Sequence, residues 1–200
     1  MMPPTIATVV EGQGEVAAVP ALLRRIVAEI SPETWIDVPR PYRIGRGSLV
    51  KAGGIETAVA AVAEQGGART GVLVLFDADD DLPCVLGPHL LARAAAARTD
   101  RPSSVVLAKR EFEAWFLAAA PSLRGVRGLA KDLDAPADPE QRRDCKGWLT
   151  ARRTDKRSYK PTADQAALAE VFDLAMARAN SPSFDKMWRD VERLAKKITV

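Results

Sequence analysis

Val72-Leu73-Val74-Leu75-Phe76 runs without interruption into Asp77-Ala78-Asp79-Asp80-Asp81. An unbroken apolar run with no polar alternation is the pattern of a strand covered on both faces, as strands of a parallel sheet are. The acids that follow mark the point where the chain leaves the sheet. Upstream, residues 6–10 form a second short, β-branched apolar run. It ends at Glu11-Gly12-Gln13-Gly14-Glu15. Residues 16–30 then carry Val19, Leu22, Leu23, Ile26 and Ile30 at helical spacing. Pro20 is accommodated by a late start that places it in the first turn.

Residues 35–38 predict a short strand and 39–52 a loop. Residues 54–65 predict an alanine-rich helix ended by Gly66-Gly67. Downstream of the central run, 86–97 reads as a helix, 105–108 as a strand and 111–119 as helical. Strands alternating with helices predict an α/β fold with a mostly parallel, doubly wound sheet over residues 1–120. Strand signals cease after Pro121. Residues 163–179 and 184–198 read as helices, with Ser183 a candidate N-cap for the second. Residues 121–200 are therefore expected to form a basic, helical extension packed on the core.

The chain has 200 residues, two cysteines and one histidine. Cys84 and Cys145 lie far apart and read as free thiols. One histidine excludes zinc sites built on two, and His89 has no nucleophile-elbow sequence to make a serine triad. Lying among apolar residues, His89 reads as a packed helix residue. The first residues lack the charged and small-residue pattern of a secretory signal, and no run reaches the ~20 apolar residues of a membrane helix. A cytoplasmic protein without a membrane is expected. Hydrolytic chemistry here would have to use carboxylates and a hard metal ion.

In an open parallel sheet, ligands bind beyond the carboxyl ends of the strands. The clusters 11–15 and 77–81 both fall on that edge. Crowded carboxylates repel one another and lose hydration, and a divalent cation offsets both costs. In extended chain Asp77 and Asp79 point the same way, so both could reach one ion. Glu111 and Glu113 follow the third strand and could add a further acid, completing a second metal position. The plainer alternatives stay open: Asp79–Asp81 as a solvated turn, and Glu15 and Glu113 as acids favoured at helix N-termini.

An apolar strand followed by Glu11-Gly12-Gln13-Gly14-Glu15, then a second followed by Asp77-Ala78-Asp79, resembles the Toprim domain of topoisomerases, bacterial primases and overcoming-lysogenization-defect nucleases. The resemblance is closer to a bacterial Toprim-like family of unknown function. That family carries the same two motifs, then Glu113-Ala114-Trp115, then Ser181-Pro182-Ser183-Phe184. It implies a Toprim-like fold and a magnesium-dependent nuclease, with manganese as a substitute metal. Glu11 is implied as the acid/base, with Asp77 and Asp79 as catalytic metal ligands. Glu15, Asp81 and Glu113 join them as expected ligands. The resemblance also implies a neighbouring ABC- or AAA-type ATPase as partner and a role in anti-phage defence. A non-catalytic partner subunit of such an ATPase and an RNA-directed toxin are the rival readings.

Between Asp37 and Glu56 every charge is positive: Arg40, Arg43, Arg46 and Lys51. From Arg142 to Lys160 eight cations stand against two acids, with Trp148 and Tyr159 interleaved. Mixed basic and aromatic residues suit phosphate contact and base stacking. Arg40, Arg43, Arg46, Lys51, Lys109, Arg152, Arg153, Lys156, Arg157 and Lys160 are the expected contacts to DNA or RNA. Surface ion pairs are the alternative.

Overall fold

The computed structural model describes residues 2–199. Four strands form one sheet: β1 (Thr5–Val10), β2 (Tyr42–Arg43), β3 (Thr70–Asp77) and β4 (Ser103–Ala108). Their order is β2-β1-β3-β4 and every pairing is parallel. The helices are α1 (Glu15–Ile30), α2 (Arg46–Leu49), α3 (Gly54–Ala63), α4 (Pro83–Ala97), α5 (Ala114–Ala118), α6 (Cys145–Ala151), α7 (Ala166–Ala169), α8 (Leu174–Asn180) and α9 (Pro182–Thr199). This is the α/β fold with a parallel sheet that the alternating pattern predicts. Among the described residues no helix is long and apolar enough to cross a membrane.

Side chains alternate strictly across the sheet, because strand geometry turns each successive residue to the opposite face. Ile6, Val10, Leu73, Leu75, Val106 and Ala108 face α1, α9 and the rest of the C-terminal half. Ala7, Val9, Val72, Val74, Phe76, Val105 and Leu107 face α3 and α4. Residues after 120 thus share one apolar core with the sheet. Parallel strands all leave at one edge, and the register pairs Val10 with Leu75 and Asp77 with Ala108. Glu11, Asp77 and the segment 109–113 therefore emerge together.

Several local expectations are corrected. Helix α1 begins at Glu15, so Pro20 lies in its second turn; there the ring is buried and removes one backbone donor. The segment 35–38 adds no strand. Only Asp37 bridges Thr5, and the partner of β1 comes instead from Tyr42–Arg43, within the expected loop. The helix expected over 163–179 is broken. A π-turn (Pro161–Gln165) leads into α7, and the chain bends before Asp173 caps α8. Ser181, not Ser183, caps α9 by accepting the Phe184 N–H at 3.1 Å. His89 lies on the solvent side of α4, not in the core.

The Glu-Ala-Trp and Ser-Pro-Ser-Phe motifs meet in the core. Trp115 Nε1 donates to Ser183 Oγ at 2.8 Å, and Glu140 accepts from the Ser183 N–H at 2.8 Å and its hydroxyl at 2.6 Å. Trp115 also packs edge-on against Phe184, with centroids 5.2 Å apart. These motifs hold α9 against α5, and α9 lies on the sheet.

Gly14 marks the tightest approach between the two halves. A Cβ there would come within 2.2 Å of Gln165 Oε1 and 2.7 Å of the Pro161 carbonyl oxygen. Gly14→Ala should cost about 1–3 kcal/mol by overpacking. Gly47→Ala, with open space around it, should be neutral or slightly stabilising in α2. Urea unfolding of both variants checks the contrast, and equal stabilities would remove this contact from the account.

Candidate active site

Glu11, Glu15, Asp77 and Glu113 line one pocket of about 320 Å³, together with Lys146, Gln165 and the 12–14 turn. Each acid is placed by backbone. Glu15 is buried and folds back, its Oε2 accepting the N–H groups of Glu11 at 3.0 Å and Gly12 at 3.1 Å. Gly12 keeps that turn tight, since a Cβ would lie 3.0 Å from Glu15 Oε1. Asp77 ends β3, and its Oδ1 accepts the Phe112 N–H at 2.7 Å, fastening the end of β3 to the chain after β4. Glu113 is 1% exposed. Its Oε1 accepts from Tyr159 Oη at 3.0 Å and Gln165 Nε2 at 3.4 Å.

The site is electrostatically strained. Burial pushes the Glu15 carboxyl up to about 7, against the pull of the Gly12 and Glu11 amides. Burial also raises Asp77 well above the usual carboxylate range, helped by Glu15 and Glu113. Glu11 is raised by burial and by Asp79. Lys146 is the cation on this wall, 2.6 Å from Glu111 Oε2 and 2.9 Å from Glu113 Oε2. Burial works against its charge, but Glu113 and Glu111 outweigh it and raise its pKa.

Asp79 and Asp81 stand apart from the pocket. Asp79 has φ 47°, which breaks the alternation that would have aligned it with Asp77. Arg46 holds both Asp79, at 3.8 Å, and Asp81. Arg110 and Arg143 hold Asp80. Glu111, like Glu113, pairs with Lys146, and its Oε1 accepts the Cys145 N–H at 3.1 Å.

Among the described residues no three Asp, Glu, His or Cys side chains are close enough together, as they stand, to hold a metal ion. The reason is visible: Glu15 faces two amides, and Glu113 faces Lys146. The donor set nonetheless fits a hard cation. Glu11 Oε2 and Gln165 Oε1 are buried oxygens of pocket residues with no hydrogen-bond donor, and Glu113 Oε2 meets only the Lys146 ammonium. Such atoms are costly unless something positive approaches them. Glu11, Asp77, Glu113 and Gln165 are the residues that would hold it.

The basic residues divide. Arg40, Arg43, Lys51, Lys156, Arg157 and Lys160 are exposed. Lys109 Nζ lies 3.5 Å from the Asp81 carbonyl oxygen. Arg46 is committed to the aspartates. Arg153 is no surface cation: it lies between Asp155 at 2.7 Å and Asp164 at 3.2 Å, with 6% of its side chain exposed. Neither interleaved aromatic is free to stack on bases. Tyr159 is buried on Glu113, and Trp148 is buried with Arg152 3.9 Å over its ring. Tyr159, Lys146 and Gln165 are site residues that local sequence reading does not pick out. The one signal available was their place in the basic segment and the helix after it.

A parallel α/β domain with an acidic pocket at the strand ends is the class that fold and site define. The chain belongs to the family described as domain of unknown function DUF4276, whose profile matches residues 10–192. Among solved structures it is similar to the C-terminal region of the Burkholderia pseudomallei OLD protein. The identity is 15%, the coverage 99% of this chain and 100% of that one, and the TM-score 0.43. Comparison with curated proteins gave no match.

The raised pKa of Glu15 makes stability depend on pH. A folded-state value of about 7 lies above the ordinary 4.5, so the folded protein holds the extra proton. That contribution is complete below pH ~4.5 and is lost as pH rises through about 7. In metal-free buffer, Glu15→Gln, which can still accept both amides, should remove up to about 3 kcal/mol of this decline. Urea midpoints from pH 4.5 to 8 measure it. Parallel curves for the two proteins would show that Glu15 does not titrate in this window.

Proposed function

We propose that this protein is a magnesium-dependent phosphodiesterase acting on nucleic acid. One observation carries the reading: four carboxylates from three segments line one pocket at the strand edge, where the buried oxygens Glu11 Oε2 and Gln165 Oε1 lack a donor. Magnesium favours oxygen ligands and usually keeps water and phosphate among them. When bound, it supplies positive charge against a phosphodiester and makes water a better acid. Glu11, Asp77, Glu113 and Gln165 would hold it. Glu11, half-buried and with its carboxyl raised by burial and by Asp79, is the group suited to exchanging a proton with the attacking water. Lys146 keeps Glu111 as partner when Glu113 turns to a cation. The exposed arginines and lysines from 40–51 and 156–160 would meet the phosphate backbone.

The ion pairs within the acidic clusters favour a companion reading. With Arg46 on Asp79 and Asp81, and Lys146 on Glu113, the chain would be an effector kept quiet until a partner rearranges the site. An ATPase of the ABC or AAA type in an anti-phage system is the partner suggested by the resemblance.

Purified protein incubated with single- and double-stranded DNA and RNA, with magnesium or manganese, should cut at least one class. Asp77→Asn should lower the rate at least ~100-fold, and EDTA should abolish it. Undiminished cleavage by Asp77→Asn, or cleavage in EDTA, would sink the phosphodiesterase assignment. Cleavage appearing only when the ATPase is added would support the companion reading.

A further inference from the structure

We propose that Tyr159 and Gln165 are positioning residues that fix the rotamer of Glu113 and so leave its Oε2 as the face offered to the cation. The proposal rests on the cation reading of the pocket and extends it to residues of the C-terminal half. A carboxylate buried to 1% exposure needs partners on both oxygens. Here they are distributed unequally. Oε1 receives two donors, Tyr159 Oη and Gln165 Nε2. Oε2 meets no neutral donor and faces the Lys146 ammonium, at 2.9 Å, whose other partner is Glu111. Two neutral donors on one oxygen leave the other as the charged face.

The amide of Gln165 has its sense set by the same contact. Nε2 must face the carboxylate, so Oε1 turns the other way, against Gly14, where it lacks a donor. The π-turn Pro161–Gln165 follows Tyr159 directly and brings Gln165 to the same oxygen. Such turns are irregular and recur at functional sites. This one is framed by buried Asp164, which accepts from the Lys160 N–H at 2.9 Å and pairs with Arg127 at 3.0 Å and Arg153 at 3.2 Å. That frame accounts for the burial of Arg153. It holds the turn against the 11–15 segment, where only a glycine at position 14 leaves room.

The test uses manganese alone, with no nucleic acid. Titration calorimetry would compare the wild-type chain with Tyr159→Phe, Gln165→Leu, Glu113→Gln and the double variant Glu113→Gln/Tyr159→Phe. Residues that orient a metal ligand typically contribute ~10–100-fold to affinity, and Tyr159→Phe and Gln165→Leu should each weaken Mn2+ binding by that factor. Tyr159→Phe keeps the ring, and its cooperative melt in EDTA would show that the fold survives. In the Glu113→Gln background the tyrosine change should cost less than about threefold more, because its effect passes through Glu113. Wild-type affinity in both single variants, or losses that simply add in the double variant, would overturn this proposal while leaving the cation reading intact. A wild-type chain that binds no manganese would overturn both.

Discussion

Four carboxylates crowd the edge where β1, β3 and β4 end, and the cost of holding them there organises much of the molecule. Burial first, and repulsion between the acids second, drive Glu15 and Asp77 toward their neutral forms. Three of the four are offset by something specific. Glu15 takes two amides of its own turn, and Asp77 takes the Phe112 amide. Glu113 takes a tyrosine, a glutamine and a lysine from beyond residue 140. Without these donors the carboxylates would bind protons or the edge would open.

This is why the C-terminal half belongs to the site. Lys146, Tyr159 and Gln165 stand on segments that make no strand, yet Lys146 and Gln165 line the pocket and Tyr159 braces Glu113 from behind. Their placement depends on two anchors. One is the Trp115–Ser183–Glu140 cluster, which holds α9 against α5. The other is Asp164 with its two arginines, which stiffens the π-turn. Packing in the core and chemistry at the edge are thus joined through the same segments.

The acidic motifs also sort themselves by geometry. Asp77 is the last residue of β3 and inherits the direction of the strand, toward α1 and the C-terminal half. Asp79 stands past a left-handed residue position and turns to Arg46. Two aspartates that share a motif therefore have different surroundings: one half-buried among acids, the other exposed and paired. Guanidinium and ammonium groups thus meet the acids of both clusters.

The strands were legible because an unbroken apolar run can be buried only on both faces, and parallel exit puts Glu11, Asp77 and Glu113 on one edge. That much follows from local pattern. The second strand was misplaced because Tyr42–Arg43 is short and exposed, and it pairs for register with β1, not for burial. The expected base-stacking role of Trp148 and Tyr159 failed for a related reason: composition records that a residue is aromatic and has basic neighbours, but not which side it turns. Residue order alone therefore determined the sheet and the edge at which the acids collect. Only the tertiary structure decided which acids share a pocket, which arginines are consumed in holding them, and that a tyrosine and a glutamine from a distant turn complete the wall. Those outcomes depend on contacts between residues tens of positions apart, and no local periodicity encodes such contacts.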